Sequence, residues 1–306
     1  MKYLFLFLSF LFLLFILSLD SSLLSDRDAY AANVDNSIMV LLAKVASVDI
    51  SFLLKEPIYD LFSLFLFYIF NDGYVALPYF ILFSFSLFVF SIYRSLPVVF
   101  SFELFFFAII ILLLPLVFKN YIIHLRQGLA MSFFYILYSS ELKYRKILLF
   151  LPALIHGTFL FISPIVVFLE TFSKLRIYLY ILTPFILFFL IPLFASNFAG
   201  LNPKIDSIDQ YDNTVSGFGF IYFFLISLLL LYRNSTETLK YVFTFFIYFY
   251  LMSYFVQASF SARIFESALP LCFFNFKSSP YQRKVFSIFF FMYIVVQFIR
   301  NPSFIM

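Results

Sequence analysis

Apolar runs of bilayer length follow one another along almost the whole chain. Inside lipid every backbone N–H and C=O must be satisfied within the protein, so such runs form helices. They lie at about 3–19, 75–93, 98–118, 121–140, 177–195, 217–232, 241–257, 264–276 and 285–300. A soluble domain of 306 residues would need roughly twice the 12% charged residues found here. With 64% hydrophobic residues and a mean hydropathy of +1.04, the chain reads as an all-α, polytopic integral membrane bundle. At about 20 residues per span it holds about nine to eleven spans, with nine as the central reading. No repeat of 20–50 residues interrupts residues 1–306, which read as one integral membrane domain.

Several function classes fall away on composition. A net charge of +4 spread over many loops is not a nucleic-acid footprint. The lone Cys272 rules out an internal disulfide and any multi-cysteine metal site. Six glycines in the whole chain, none in a phosphate-loop pattern, leave little room for a Gly-rich loop. The 53 Phe and absent Trp carry little function, since Phe and Leu are nearly interchangeable toward lipid. The triplet Ala29-Tyr30-Ala31 resembles a signal-peptide cleavage site but lies about ten residues past the first apolar run, so that run reads as an uncleaved helix.

Charge asymmetry sets an orientation. Lys143, Arg145 and Lys146 form one basic cluster; Lys277, Arg283 and Lys284 form another; Arg233 with Lys240 is weaker. By the positive-inside rule these face the cytoplasm. The acid-rich stretch from Asp20 to Asp60, and Asn197–Ser216, then face outward. Parity makes 57–70 a surface helix on the outer side, opened by Glu56-Pro57 and closed by Asn71-Asp72-Gly73; a span there would put the 143–146 cluster outside. The run 147–169, interrupted at His156-Gly157 and Pro164, is either a re-entrant hairpin breaking at His156-Gly157 or a full span.

Charged or ionisable groups that remain beside apolar spans usually mark a pathway or a reaction centre. Arg126 precedes the small residues Gly128 and Ala130, and its planar fork suits phosphate; the alternative is an arginine snorkelling at a helix end. Gln127 and His124 flank it. His156 sits in an apolar stretch, where it is a proton carrier, a phosphate donor or a packing residue. Arg263 is presented to lipid phosphate or paired locally with Glu266. Asp28, Tyr30 and Glu56 belong to the acidic outer segment, as base candidates or as solvated loop. Neither histidine has a metal-ligand spacing partner, so no metal is expected.

In this order, the pieces resemble the EpsG-like family of bacterial polysaccharide polymerases, of Wzy type. The matching residues are Asp28 and Tyr30, Lys55-Glu56-Pro57, Leu125-Arg126-Gln127-Gly128-Leu129-Ala130, Ile155-His156 and Arg263-Ile264, spread over most of the chain. The Arg-Gln-Gly-Leu-Ala stretch followed by Ile-His is the most specific. The order of first helix, acidic outer loop, surface helix and spans is also similar to GT-C membrane glycosyltransferases, although the paired acids seen there read Arg27-Asp28 here. The resemblance implies transfer of glycan from undecaprenyl diphosphate to a lipid-linked repeat unit, for O-antigen, capsule or exopolysaccharide, at the outer face of the bacterial inner membrane. It implies Arg126 and Arg263 on diphosphate, with Gln127, His124 and Tyr30 binding substrate. It also implies His156 on diphosphate or a proton, and Asp28 or Glu56 activating the acceptor. No cofactor is implied. The partners are the lipid-linked oligosaccharide, membrane lipid and a chain-length regulator. Alternatives are an O-acetyltransferase, a glycan ligase or a lipid-linked sugar transporter.

Overall fold

The computed structural model describes residues 1–18, 27–46, 56–171, 263–276 and 280–300. Those residues are all helix and turn, with no strand among them. The chain divides into two compact units, one of Met1–Ser163 with Ser287–Met306 and one of Pro164–Phe286. The expected spans at 177–195, 217–232 and 241–257 lie outside the described residues, as does the acidic segment Asn197–Ser216.

The first unit is built round one helix. In chain order its elements are α1 (Lys2–Ser18), α2 (Arg27–Asp35), α3 (Ser37–Ala46), α4 (Pro57–Phe70), α5 (Gly73–Ser95), α6 (Phe102–Leu113), α7 (Pro115–Ile122), α8 (Leu125–Tyr138) and the single turn α9 (Arg145–Leu148). A 3₁₀ turn, Leu151–Leu154, follows, and α10 (Phe159–Thr171) begins in this unit. Helix α5 is long and apolar enough to cross a bilayer. It starts sharply because Asp72 accepts a hydrogen bond from the Val75 N–H, and Asp35 of α2 accepts one from Gly73 at 2.7 Å. Both carboxylates answer amide groups that a helix start leaves orphaned. A Cβ at Gly73 would overlap the Ala31 carbonyl, so only glycine lets α2 come this close. The helix stops at Leu96, extended as a residue before proline tends to be.

Ring contacts give the directions. Phe12 meets Phe85 while Lys2 lies over the Tyr93 ring, so α1 runs antiparallel to α5. Ser132 donates to the Ser84 carbonyl, and Tyr135 packs on Phe88, so α8 runs parallel to α5. Consequently most, though not all, of the charge sorts by sign to two ends, Glu141 sharing a cavity wall with Arg94 and Arg126 pairing with Glu56. Lys2 and Arg94 lie at one, with Arg145 bonded to the Tyr138 carbonyl at 2.9 Å. Asp28, Asp35, Glu56 and Asp72 lie at the other, round the starts of α5 and α8.

The structure departs from the sequence reading at several breaks. The run 98–118 is one apolar stretch, but α6 and α7 bend by 48° at Leu114-Pro115, because proline opens α7 and forbids helix at the residue before it. The run 121–140 is split by a turn at Ile123-His124, so α8 begins only at Leu125. The acidic stretch read as a loop contains two short helices, α2 and α3. Helix α4 matches 57–70, and Tyr59 and Phe70, three turns apart, reach the neighbouring residues Phe80 and Tyr79 of α5. Thus α4 crosses α5 and does not line it. The run 147–169 is broken at His156-Gly157.

In the second unit, a helix over 263–268 and α11 (Leu271–Phe276) are separated at Leu269-Pro270, which splits the apolar run 264–276. Helix α12 (Pro280–Arg300) starts here and carries on into the first unit. Arg283 is buried, whereas Lys284 beside it is exposed, so the basic cluster expected at 277–284 is not uniformly solvated.

Candidate functional site

The first turn of α8 meets the residue that opens α4. Arg126 Nη1 lies 2.6 Å from Glu56 Oε2, with the side chains 23% and 14% exposed respectively. Such a half-buried pair gains more from Coulomb attraction than an exposed one, but both charges lose hydration. Aromatic rings offset part of that loss. The guanidinium carbon sits 5.3 Å from the centre of the Tyr59 ring and 5.7 Å from that of Tyr30. Each cation–π contact contributes about 0.5–2 kcal/mol, more as water is excluded. Tyr30 and Tyr59 also pack edge to face on each other. Burial holds the Tyr59 phenol well above its ordinary range, with Arg126 pulling the other way, so the ring stays neutral.

Glu56 is held against its backbone preference. Its φ of 60° and ψ of 51° are left-handed, uncommon for any residue with a Cβ. A strained residue of this sort costs about 1–3 kcal/mol and persists only where its surroundings fix it. The fixing contacts include Arg126 on one carboxylate oxygen and the Gly157 N–H on the other, at 3.4 Å.

Gly157 arrives by an irregular route. From Arg145 at the Tyr138 end of α8, the chain travels to the Arg126 end through α9 and the 3₁₀ turn, so little of it is α-helical. His156 is half-buried, less enclosed than its apolar neighbours suggest. Its Nδ1 lies 2.9 Å from Thr158 Oγ1 and accepts the Thr158 N–H at 3.3 Å. A backbone N–H can only donate, so that contact favours the Nε2–H tautomer, whereas a proton on Nδ1 would be donated to Thr158 Oγ1 instead.

The remaining sequence candidates distribute as follows. Tyr30, Glu56 and Arg126 converge, and His156 adjoins them through Gly157. Asp28 does not join them: it is exposed, and its carboxylate accepts the Tyr74 hydroxyl at 2.9 Å. Gln127 is only 1% exposed and packs in the core. His124 is the half-buried residue that caps α8, and its carbonyl accepts the Gly128 N–H. Arg263 opens the short helix of the second unit, half-buried, with Glu266 buried one turn on. Sequence reasoning missed Tyr59 and the Gly157 N–H. Tyr59 stands three residues after Glu56, in the first turn of the helix that Glu56 opens, and that short spacing is the signal that would have found it.

Glycine sets the site's depth. A Cβ at Gly128 would overlap the Asn120 carbonyl, so α7 and α8 touch backbone to backbone two residues past Arg126. At Gly157 a Cβ would meet nothing within 4 Å among the described residues.

No family model, curated protein or solved structure matches this chain. Among the described residues no three His, Cys, Asp or Glu side chains converge as metal ligands. What the cluster offers is one guanidinium, one backbone N–H, one carboxylate, one imidazole and two tyrosine rings.

Proposed function

We propose that this chain is a polytopic membrane glycosyltransferase, a polysaccharide polymerase that takes glycan from undecaprenyl diphosphate and adds it to a lipid-linked repeat unit. The observation that carries the reading is the fork of Arg126, wedged between Tyr30 and Tyr59 at the start of an apolar helix and facing Glu56. In this reading the acidic end is the outer face of the bacterial inner membrane, and α4, at about 21 Å too short to span, lies across it as a surface helix.

The acceptor hydroxyl oxygen attacks the anomeric carbon and forms the new C–O bond. The bond from that carbon to the phosphate oxygen breaks, and its electron pair leaves with the lipid diphosphate. The hydroxyl proton passes to Glu56 or His156. Negative charge grows on the leaving diphosphate, where an arginine already in position stabilises the transition state without reorganisation. Arg126 takes that role. Asp28, tied to Tyr74, is the weaker base candidate of the two acids.

The test is a deletion strain complemented with wild type or Arg126→Ala. The polymerase reading expects ladders of surface glycan with the first and single repeat units with the second. Transfer of finished glycan, or of acetyl groups, by the wild type would favour a ligase or an O-acetyltransferase instead.

A further inference from the structure

The Glu56 carboxylate sits where an anionic ligand of Arg126 would sit. One oxygen accepts from the guanidinium at 2.6 Å and the other from the Gly157 N–H at 3.4 Å. A cation and a backbone amide converging on two oxygens is the donor set that proteins use for phosphate. Among the described residues nothing lies within 4 Å of where a Gly157 Cβ would stand, so this backbone is not packed in on that side. The left-handed backbone at Glu56 means that its occupancy of this position is held by contacts and opposed by local conformation.

We propose that Glu56 is a resident anion in the donor's phosphate subsite, and that a lipid diphosphate displaces it. The inference rests on the glycosyltransferase reading and deepens it. In the resting protein the carboxylate neutralises Arg126 and keeps a buried cation satisfied. When a diphosphate oxygen takes over the guanidinium and the Gly157 N–H, the carboxylate leaves with its charge intact. It is then a stronger base than it was beside the cation, because an adjacent guanidinium favours the ionised, unprotonated form. The freed carboxylate accepts the acceptor's hydroxyl proton as the glycosidic bond forms. Donor binding thereby switches on the base, and a lone acceptor is not deprotonated.

The experiment measures binding of geranylgeranyl diphosphate to the purified full chain in nanodiscs, alongside polymer formation. Removing a competing anion raises apparent affinity by the inverse of the fraction of time the site stood open, so a site open about a tenth of the time gains about tenfold. Glu56→Gln should therefore bind the probe about tenfold more tightly than wild type while making little polymer. Glu56→Asp, which keeps the charge on a shorter arm, should also bind more tightly and keep part of the turnover; it serves if the glutamine variant does not accumulate. Weaker or unchanged binding in a folded Glu56 variant would overturn the displacement, leaving Glu56 as a residue that only positions Arg126. Arg126→Ala is the separate control: if it binds the probe as wild type does, the diphosphate reading itself fails.

Discussion

Arg126 and Glu56 stand 70 positions apart in the chain and 2.6 Å apart in the structure. The pair joins the start of α8 to the start of α4, so the cation's geometry depends on both. Arg126→Lys keeps the charge but loses the planar fork that meets carboxylate and phosphate side-on. The expected outcome is a fall in polymer of about 10²-fold, the scale of losing one donor at a developing oxyanion, with membrane abundance unchanged. Glycan ladders beside quantitative immunoblots read both; full-length ladders from Arg126→Ala would restore the snorkelling interpretation.

Tyr59 contributes a ring, and its hydroxyl is secondary. Tyr59→Phe should therefore retain polymer and shift stability by about 1 kcal/mol or less. Tyr59→Ala removes a buried ring together with its cation contact, and should cost about 3 kcal/mol or more. Thermal unfolding in detergent compares the two. Equal losses would mean that the hydroxyl, and not the ring face, is what matters.

Two glycines with opposite surroundings offer a paired test of packing. Gly128→Ala should destabilise by about 1–3 kcal/mol, since the new methyl strikes the Asn120 carbonyl. Gly157→Ala adds its methyl to open space and keeps the N–H, so it should melt with wild type. A melting curve for Gly128→Ala that overlays wild type would show that α7 and α8 are less tightly apposed than described.

His156 separates catalysis from transport. On the polymerase reading, cells carrying His156→Ala should still show a single repeat unit on the surface lipid, because polymerisation would follow translocation. Repeat units trapped inside, with no capped product, would instead favour a transporter. The protein's abundance must be measured in the same membranes, as the Thr158 contacts disappear with the ring.

Orientation is checked by single-cysteine labelling in a Cys272→Ser background. An impermeant maleimide added outside should modify a cysteine at Asp28 or Asp72 and leave one at Tyr144 untouched. Labelling at 144 from outside would invert the assignment of the two charged ends.

Parts of this arrangement were legible in the sequence. Pro57 after an acid, and Asn71-Asp72-Gly73 after an apolar run, fixed both ends of α4, because those residues have narrow backbone preferences. The break at His156-Gly157 was visible for the same reason. The bend at Pro115 was not read, because the mostly apolar stretch from Val98 to Phe118, despite Ser101 and Glu103 near its start, has the length of a single span. Helices α2 and α3 were hidden because at nine and ten residues they are too short for a clear period and one of them is acidic. The pairing of Arg126 with Glu56 could not be read from spacing, since it is created by two helices meeting. Asp28 was placed with the acids by proximity in sequence, yet Tyr74 takes its carboxylate.

Glu56 is both an acid and the residue from which α4 departs. Pro57 fixes the backbone that follows, so a change in φ or ψ at Glu56 turns the 14-residue helix relative to the residues before it. Over about 21 Å of length, a turn of about 10° at the root carries the far end roughly 4 Å. The exposed Leu61, Phe65 and Tyr68 ride on that lever. A spectroscopic label on its far turn would therefore register, at a distance, whether the carboxylate is docked or gone.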